Sequence, residues 1–187
     1  MSSYFYFSAT LPALQASASA PPLSHEAFME LASRFLSAKD LAVLGGARLF
    51  LPEDGSFPVS VSSSPLLSRY YRWELALRNE LARLRAGRMQ KPVDKHVRPG
   101  EPEWDAQRAA QAAFQAEDPL QAELLLERER WSLIETLATN KFFSLEYLIA
   151  YALLLQVLER RARFDLQRGQ EGYRTVYRSV LDTADYR

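Results

Sequence analysis

Residues 142–163 read FFSLEYLIAYALLLQVLERRAR, and this stretch limits what the rest of the chain can be. It opens with the aromatic pair Phe142-Phe143 and with Ser144, whose hydroxyl suits a helix N-cap. A helix follows that is apolar around most of its circumference and ends in Arg160, Arg161 and Arg163. Such a helix cannot lie on a surface, so other elements must surround it. Ser144, Glu146 and Gln156 interrupt it before it reaches the roughly 18–20 apolar residues that a bilayer requires. A central, buried helix is the expectation, and with it a soluble protein.

The 187 residues suit one helical domain, and 48% apolar residues are enough for a core. Lysine plus arginine equal aspartate plus glutamate, 23 of each, so no overall charge draws the chain to nucleic acid or an anionic membrane. Cysteine is absent, which removes disulfides, thiolate nucleophiles and cysteine metal sites. The apolar N-terminal residues lack the preceding positive charge of a secretory signal, since the first basic residue is Arg34, so they read as part of the mature protein.

Tyr4-Phe5-Tyr6-Phe7 reads as strand-like, ended by Pro12. Ser24 caps a helix with Phe28, Leu31, Phe35 and Leu36 on its apolar face, and Ser37 with Asp40 starts a second, stopped by Gly45-Gly46 in a left-handed turn. Residues 49–63 read as extended or looped and leave room for a short hairpin with the N-terminal strand. Ser64-Pro65 announces a long helix whose inner face is Leu66, Tyr70, Trp73, Leu77, Leu81 and Leu84, ended by Gly87. Residues 89–102 form an exposed connector. Helices from Pro102 and from Asp118-Pro119 precede the buried one, and residues 171–181 carry Tyr173, Val176, Tyr177 and Val180 at helical spacing. The fold expected is mainly α, a multi-helix bundle with a minor β-hairpin near the N-terminus.

Catalytic chemistry finds no foothold. His25 and His96 are the only histidines and show no metal-ligand spacing. Gly45-Gly46 lies at a helix C-terminus, the wrong polarity for a phosphate loop. Glu127 and Glu129, two apart on a helix, point in different directions. No catalytic residue, cofactor, metal site or small-molecule substrate is expected. Charge is distributed unevenly: residues 69–98 hold nine basic and three acidic residues, and residues 101–135 the reverse. Neighbouring helices that neutralise each other would explain this, and so would two docking faces of opposite sign. On the docking reading Arg69, Arg72 and Arg78, with Arg160, Arg161 and Arg163, are the candidate partner-binding residues.

Residues 142–164 resemble the helix near the C-terminus of the C/d subunit of V-type and archaeal-type ATPases. The matching positions are Phe142, Phe143, Ile149, Ala150, Tyr151, Leu154, Glu159 and Arg163. The chain is also similar to a family encoded within bacterial V-type ATPase operons, through the same helix and through Tyr4 to Phe7, Leu11-Pro12, Pro21-Pro22, Phe28, Leu36-Ser37, Asp40-Leu41 and Leu44. The C/d subunit has three related helical domains, so this chain corresponds to one part of it. The resemblance implies a non-catalytic adaptor between the central stalk and the membrane rotor ring, cytoplasmic and attached to the inner membrane through its protein partners. An assembly or regulatory factor that binds the ATPase transiently, or an unrelated helical interaction module, is the alternative.

Overall fold

The computed structural model describes residues 3–52, 56–57, 59–93 and 95–163. Among them are seven α-helices and no strand: α1 Ser3–Thr10, α2 His25–Ser33, α3 Ala38–Gly45, α4 Pro65–Arg88, α5 Trp104–Phe114, α6 Pro119–Ala138 and α7 Leu145–Arg163, with a 3₁₀ turn at Val59–Ser63 before α4. The expected mainly-α bundle is present; the expected helix at 171–181 lies outside the described residues.

Capping chemistry sets most of the helix starts. Ser24, Ser37, Ser64 and Asp118 each accept a hydrogen bond from the backbone N–H three residues on. These are donors that the first turn of a helix cannot satisfy internally. Proline follows Ser64 and Asp118 at the first helical position, where its missing N–H costs nothing.

The strand and hairpin at the N-terminus are corrected. Tyr4 to Phe7 belong to α1, and residues 49–52, 56–57 and 59–63 hold no strand. Alternation would have put Phe5 and Phe7 on one face. Helical spacing instead turns Tyr4, Phe7, Ser8 and Leu11 inward. Phe7 is fully buried, its ring 5.6 Å from Phe28 and 5.3 Å from Phe35, and the Tyr4 hydroxyl donates to Asp40 at 2.8 Å. Tertiary packing overrides the strand preference of aromatic residues. The glycine stops also differ from expectation. Gly46 caps α3 with φ −79°, a right-handed value, and α4 continues past Gly87 to Arg88, the left-handed residue beyond it being Gln90 with φ 54°.

The larger core gathers around α7, which packs on α6, α2, α3 and α4. Nine of its residues are buried, from Leu148 to Leu158, and each fully buried leucine or isoleucine contributes about 1.5–3 kcal/mol. A smaller core of Trp73, Ala76, Leu77 and Leu126 with four alanines joins α4, α5 and α6. Arg69 at the start of α4 pairs with Glu103 just before α5, and Arg88 stacks on Phe114 at the end of α5, so these helices run parallel. The connector must therefore return along α4. Asn79 holds it there, accepting from the Arg98 N–H and donating to the Arg98 carbonyl, both at 2.8 Å. Gly100 passes so close to Leu75 that a Cβ would sit 2.9 Å from its Cδ2.

The polar residues that interrupt α7 are clamps on other segments. Glu146 accepts from the Ser64 hydroxyl and the Leu66 N–H at the start of α4. Glu159 accepts from the His25 N–H at the start of α2, at 2.7 Å. Both carboxylates thereby meet the positive end of a helix dipole. Gln156 bonds the Leu49 N–H and the Ala47 carbonyl, and the Tyr151 hydroxyl donates to the Pro12 carbonyl at 2.8 Å. The helix is thus tied to four separate stretches of chain.

Candidate protein-docking surface

The six candidate arginines divide. Arg69 pairs with Glu103, and Arg78 reaches both Glu74 and the Leu51 carbonyl. Arg160 pairs with Glu123 and Glu127, and Arg161 bridges Glu127 to the Ala16 carbonyl. These four stabilise the fold internally. Arg72 and Arg163 are exposed, the first reaching back to the Ser68 carbonyl at 3.4 Å. The basic and acidic segments meet at Arg69–Glu103 and, with the signs exchanged, at Glu74–Arg130, whereas Arg108–Glu129 lies within the acidic stretch; of these pairs only the first sets a cation of the basic stretch against an anion of the acidic one. The neighbours Arg85 and Arg88 remain exposed at the C-terminal end of α4, where cations suit the helix dipole.

Where α4, α6 and α7 meet, a buried ionic cluster forms. Glu74 is fully buried and accepts from Arg130 Nε at 3.0 Å and Nη2 at 3.2 Å. Burial works against the charge on Arg130, but the Glu74 carboxylate outweighs it and holds the guanidinium pKa above its usual range. Glu127, also fully buried, has its pKa raised by desolvation, with Arg161, Arg160 and Arg130 opposing the shift. Phe50 closes the cluster: the guanidinium carbons of Arg78, Arg130 and Arg160 lie 5.7, 4.9 and 4.9 Å from its ring centre. Each charged side chain here is paired with one of opposite sign, so the cluster holds three helices and a loop together.

A different region presents side chains outward. Phe142 is 69% exposed and Phe143 48%, and the Phe143 ring lies 4.8 Å from that of Phe5. Phe5 and its neighbour Tyr6 are themselves exposed. Helices α6 and α7 are joined by residues 139–144, two of which take left-handed backbone. Asn140 takes φ 61°, the usual way for asparagine to end a helix. Phe143 takes φ 55°, a conformation that costs a bulky side chain roughly 1–2 kcal/mol. The turn thus holds two aromatic rings in solvent at a backbone cost, and strain of this kind collects at functional sites.

Beside the turn, a groove of about 350 Å³ lies between α6 and α7. Its α7 wall is Tyr147, Ala150, Tyr151 and Leu154, its α6 wall includes Glu135 and Ala138, and Leu14 and Phe142 close its rim. The signature residues of the sequence resemblance therefore separate into three kinds. Ile149, Ala150 and Tyr151 are buried, Glu159 is a clamp, and Phe142 and Phe143 are surface. Hydrophobicity alone could not distinguish them, since Phe142-Phe143 and the buried positions of α7 are equally apolar in sequence. Trp104, 73% exposed with Arg108 beside its ring, is a second outward aromatic, and no sequence pattern singles it out.

His25 is half-buried and His96 is exposed in the connector. Among the described residues no group of three or more His, Asp or Glu side chains converges to hold a metal ion, and no helix is long and apolar enough to cross a membrane.

Residues 107–182 match the model of a family described as a protein of unknown function (DUF2764). The match takes in both walls of the groove and the strained turn, and leaves α1 to α4 outside it. No curated protein and no solved structure matches the chain.

Proposed function

We propose that this chain is a non-catalytic helical docking subunit, and that the complex it serves is a bacterial V-type ATPase, where it links the central stalk to the membrane rotor ring in the manner of the C/d subunit. The docking half of this reading rests on one observation: Phe142 and Phe143 are held in solvent by a left-handed Phe143, next to Phe5 and an open groove. Exposed aromatics on a rigid support are what protein interfaces use as anchors, because they bring large apolar area at little entropic cost. Two long antiparallel helices with a tied-down end supply the rigidity that force transmission between partners needs.

The ATPase half rests on the sequence resemblance at both ends of the chain, to which the fold adds its helical class. Among the charged candidates, Arg72 and Arg163 remain suitable for an acidic partner surface, joined by Arg85 and Arg88. The ionic cluster fits a structural role better than an active site, since its carboxylates and guanidiniums face one another rather than a cavity. The test is affinity capture of the tagged full-length chain from native membranes, with ATPase head, stalk and ring proteins identified by mass spectrometry. Stoichiometric recovery of stalk and ring proteins supports the adaptor; recovery of none of them refutes it.

A further inference from the structure

We propose that the groove between α6 and α7 receives an amphipathic α-helix from a partner protein, apolar on one face and carrying a lysine or arginine at its edge. The proposal rests on the docking reading above and names the chemistry of the partner element at that surface.

The shape argues for a helix. On the α7 side the groove is lined by the partly exposed Tyr147 and Leu154, with Ala150 and Tyr151 buried between them, at i, i+3, i+4 and i+7, a straight run of two turns and about 10 Å. Ala138 and Ala150 both line the groove, and small side chains there let a third helix approach closely, as in helix-in-groove recognition. An extended peptide has less to gain. Both walls are helices whose backbone groups are bonded internally, so the groove offers no free edge to which a strand could add. The exposed Phe142 ring stands at one end of this wall and lengthens the apolar contact.

The charge comes from the other wall. Glu135 lines the groove near the end of α6, is exposed, and makes no ion pair among the described residues. The last turn of α6 carries no basic residue, so no side-chain cation of the helix itself offsets the negative end of its dipole there. Lys141 lies in the turn beyond, outside the helix. A cation on the incoming helix meets both the Glu135 carboxylate and the dipole, which sets its register along the groove.

Two labelled 18-residue helical peptides provide the test. Each carries leucine at i, i+3, i+4 and i+7; one has lysine at its flanking positions and the other glutamate. Binding to the full-length chain is read by fluorescence anisotropy at low salt. The lysine peptide is expected to bind more tightly. Glu135→Lys should weaken the lysine peptide and strengthen the glutamate peptide, each about fivefold. Phe142→Ala, at an exposed site that leaves circular dichroism unchanged, should weaken both about tenfold. Equal binding of the two peptides, or an unchanged preference in Glu135→Lys, overturns the proposal. Binding that appears only after residues 164–187 are removed also overturns it, since the chain itself would then be the occupant. Self-association abolished by Phe142→Ala would make a second copy the occupant, with the same consequence. These results are separable from the adaptor reading: capture of ATPase proteins without a charge preference in the groove removes this inference alone.

Discussion

Replacing Arg130 with methionine removes the principal counter-charge of a carboxylate that no solvent reaches. Glu74 takes two hydrogen bonds from Arg130, at 3.0 and 3.2 Å, and its other cation, Arg78, stands at 3.3 Å with a third of its side chain exposed. Stranding one member of a buried pair costs about 3–5 kcal/mol, whereas exchanging both members for apolar groups is close to neutral. Arg78 retains part of the compensation but the contact of Arg130 with Phe50 is lost as well, which puts Arg130→Met at about 3–4 kcal/mol. Glu74→Leu strands Arg130, whose Nη1 already lacks a hydrogen-bond partner among the described residues, and should cost about 3 kcal/mol. The double variant keeps neither charge and should lose only about 2–3 kcal/mol, for the ring contact and imperfect repacking. Urea unfolding followed by circular dichroism resolves such differences against a total stability of about 5–15 kcal/mol. Strictly additive losses, or an Arg130→Met cost below about 1 kcal/mol, would refute the claim that this pair holds α4 to α6.

Phe143→Gly should leave the thermal midpoint within a few degrees of the parent, because relief of the left-handed strain offsets the lost contact with Phe5 and the added freedom of the unfolded chain; a large fall would mean that Phe143 is a core residue. Asn79→Ala should cost about 2–3 kcal/mol and expose residues 89–103 to proteolysis, since both backbone groups of Arg98 lose their Asn79 partner; unchanged cleavage would show that the connector is held elsewhere. Burial lowers the pKa of His25, Glu159 opposing the shift, and its buried Nε2 has no acceptor to receive a proton among the described residues. The neutral ring is therefore the form that the fold accepts. Its stabilising contribution is present above pH 6.5 and is lost as pH falls through the lowered value. The thermal midpoint should drop across that window, and His25→Gln should flatten the drop; identical profiles would sink the assignment.

Much of the architecture was legible because capping residues are local. Ser24, Ser37, Ser64 and Asp118 announce helices through bonds spanning three residues, and no tertiary context is needed to read them. The N-terminal segment was not legible. Tyr4 to Phe7 satisfy strand and helix patterns equally over so few residues, and the deciding contacts with Phe28, Phe35 and Asp40 come from elsewhere in the chain. Of the candidate site, the aromatic pair was visible as sequence but its exposure was not. An apolar pair beside an apolar helix looks like core until the geometry of the turn is known. The arginines show the converse: their charge was plain, yet Arg69, Arg160 and Arg161 find carboxylates far away in sequence, and Arg78 a carbonyl in the loop before α4. Polar residues within α7 read in the sequence only as breaks in an apolar run, and it took the fold to show Glu146, Gln156 and Glu159 clamping three other segments.

The central claim, that the aromatic end of the α6–α7 hairpin is where this protein meets its complex, is tested most directly by paired capture from native membranes. The wild-type chain and a Phe142→Ala/Phe143→Gly variant are used as bait, matched by circular dichroism and thermal midpoint. Stalk and ring proteins of the ATPase should be recovered with the wild type and reduced at least about tenfold with the variant. Equal recovery by the two baits, or no ATPase protein with either, would contradict the account.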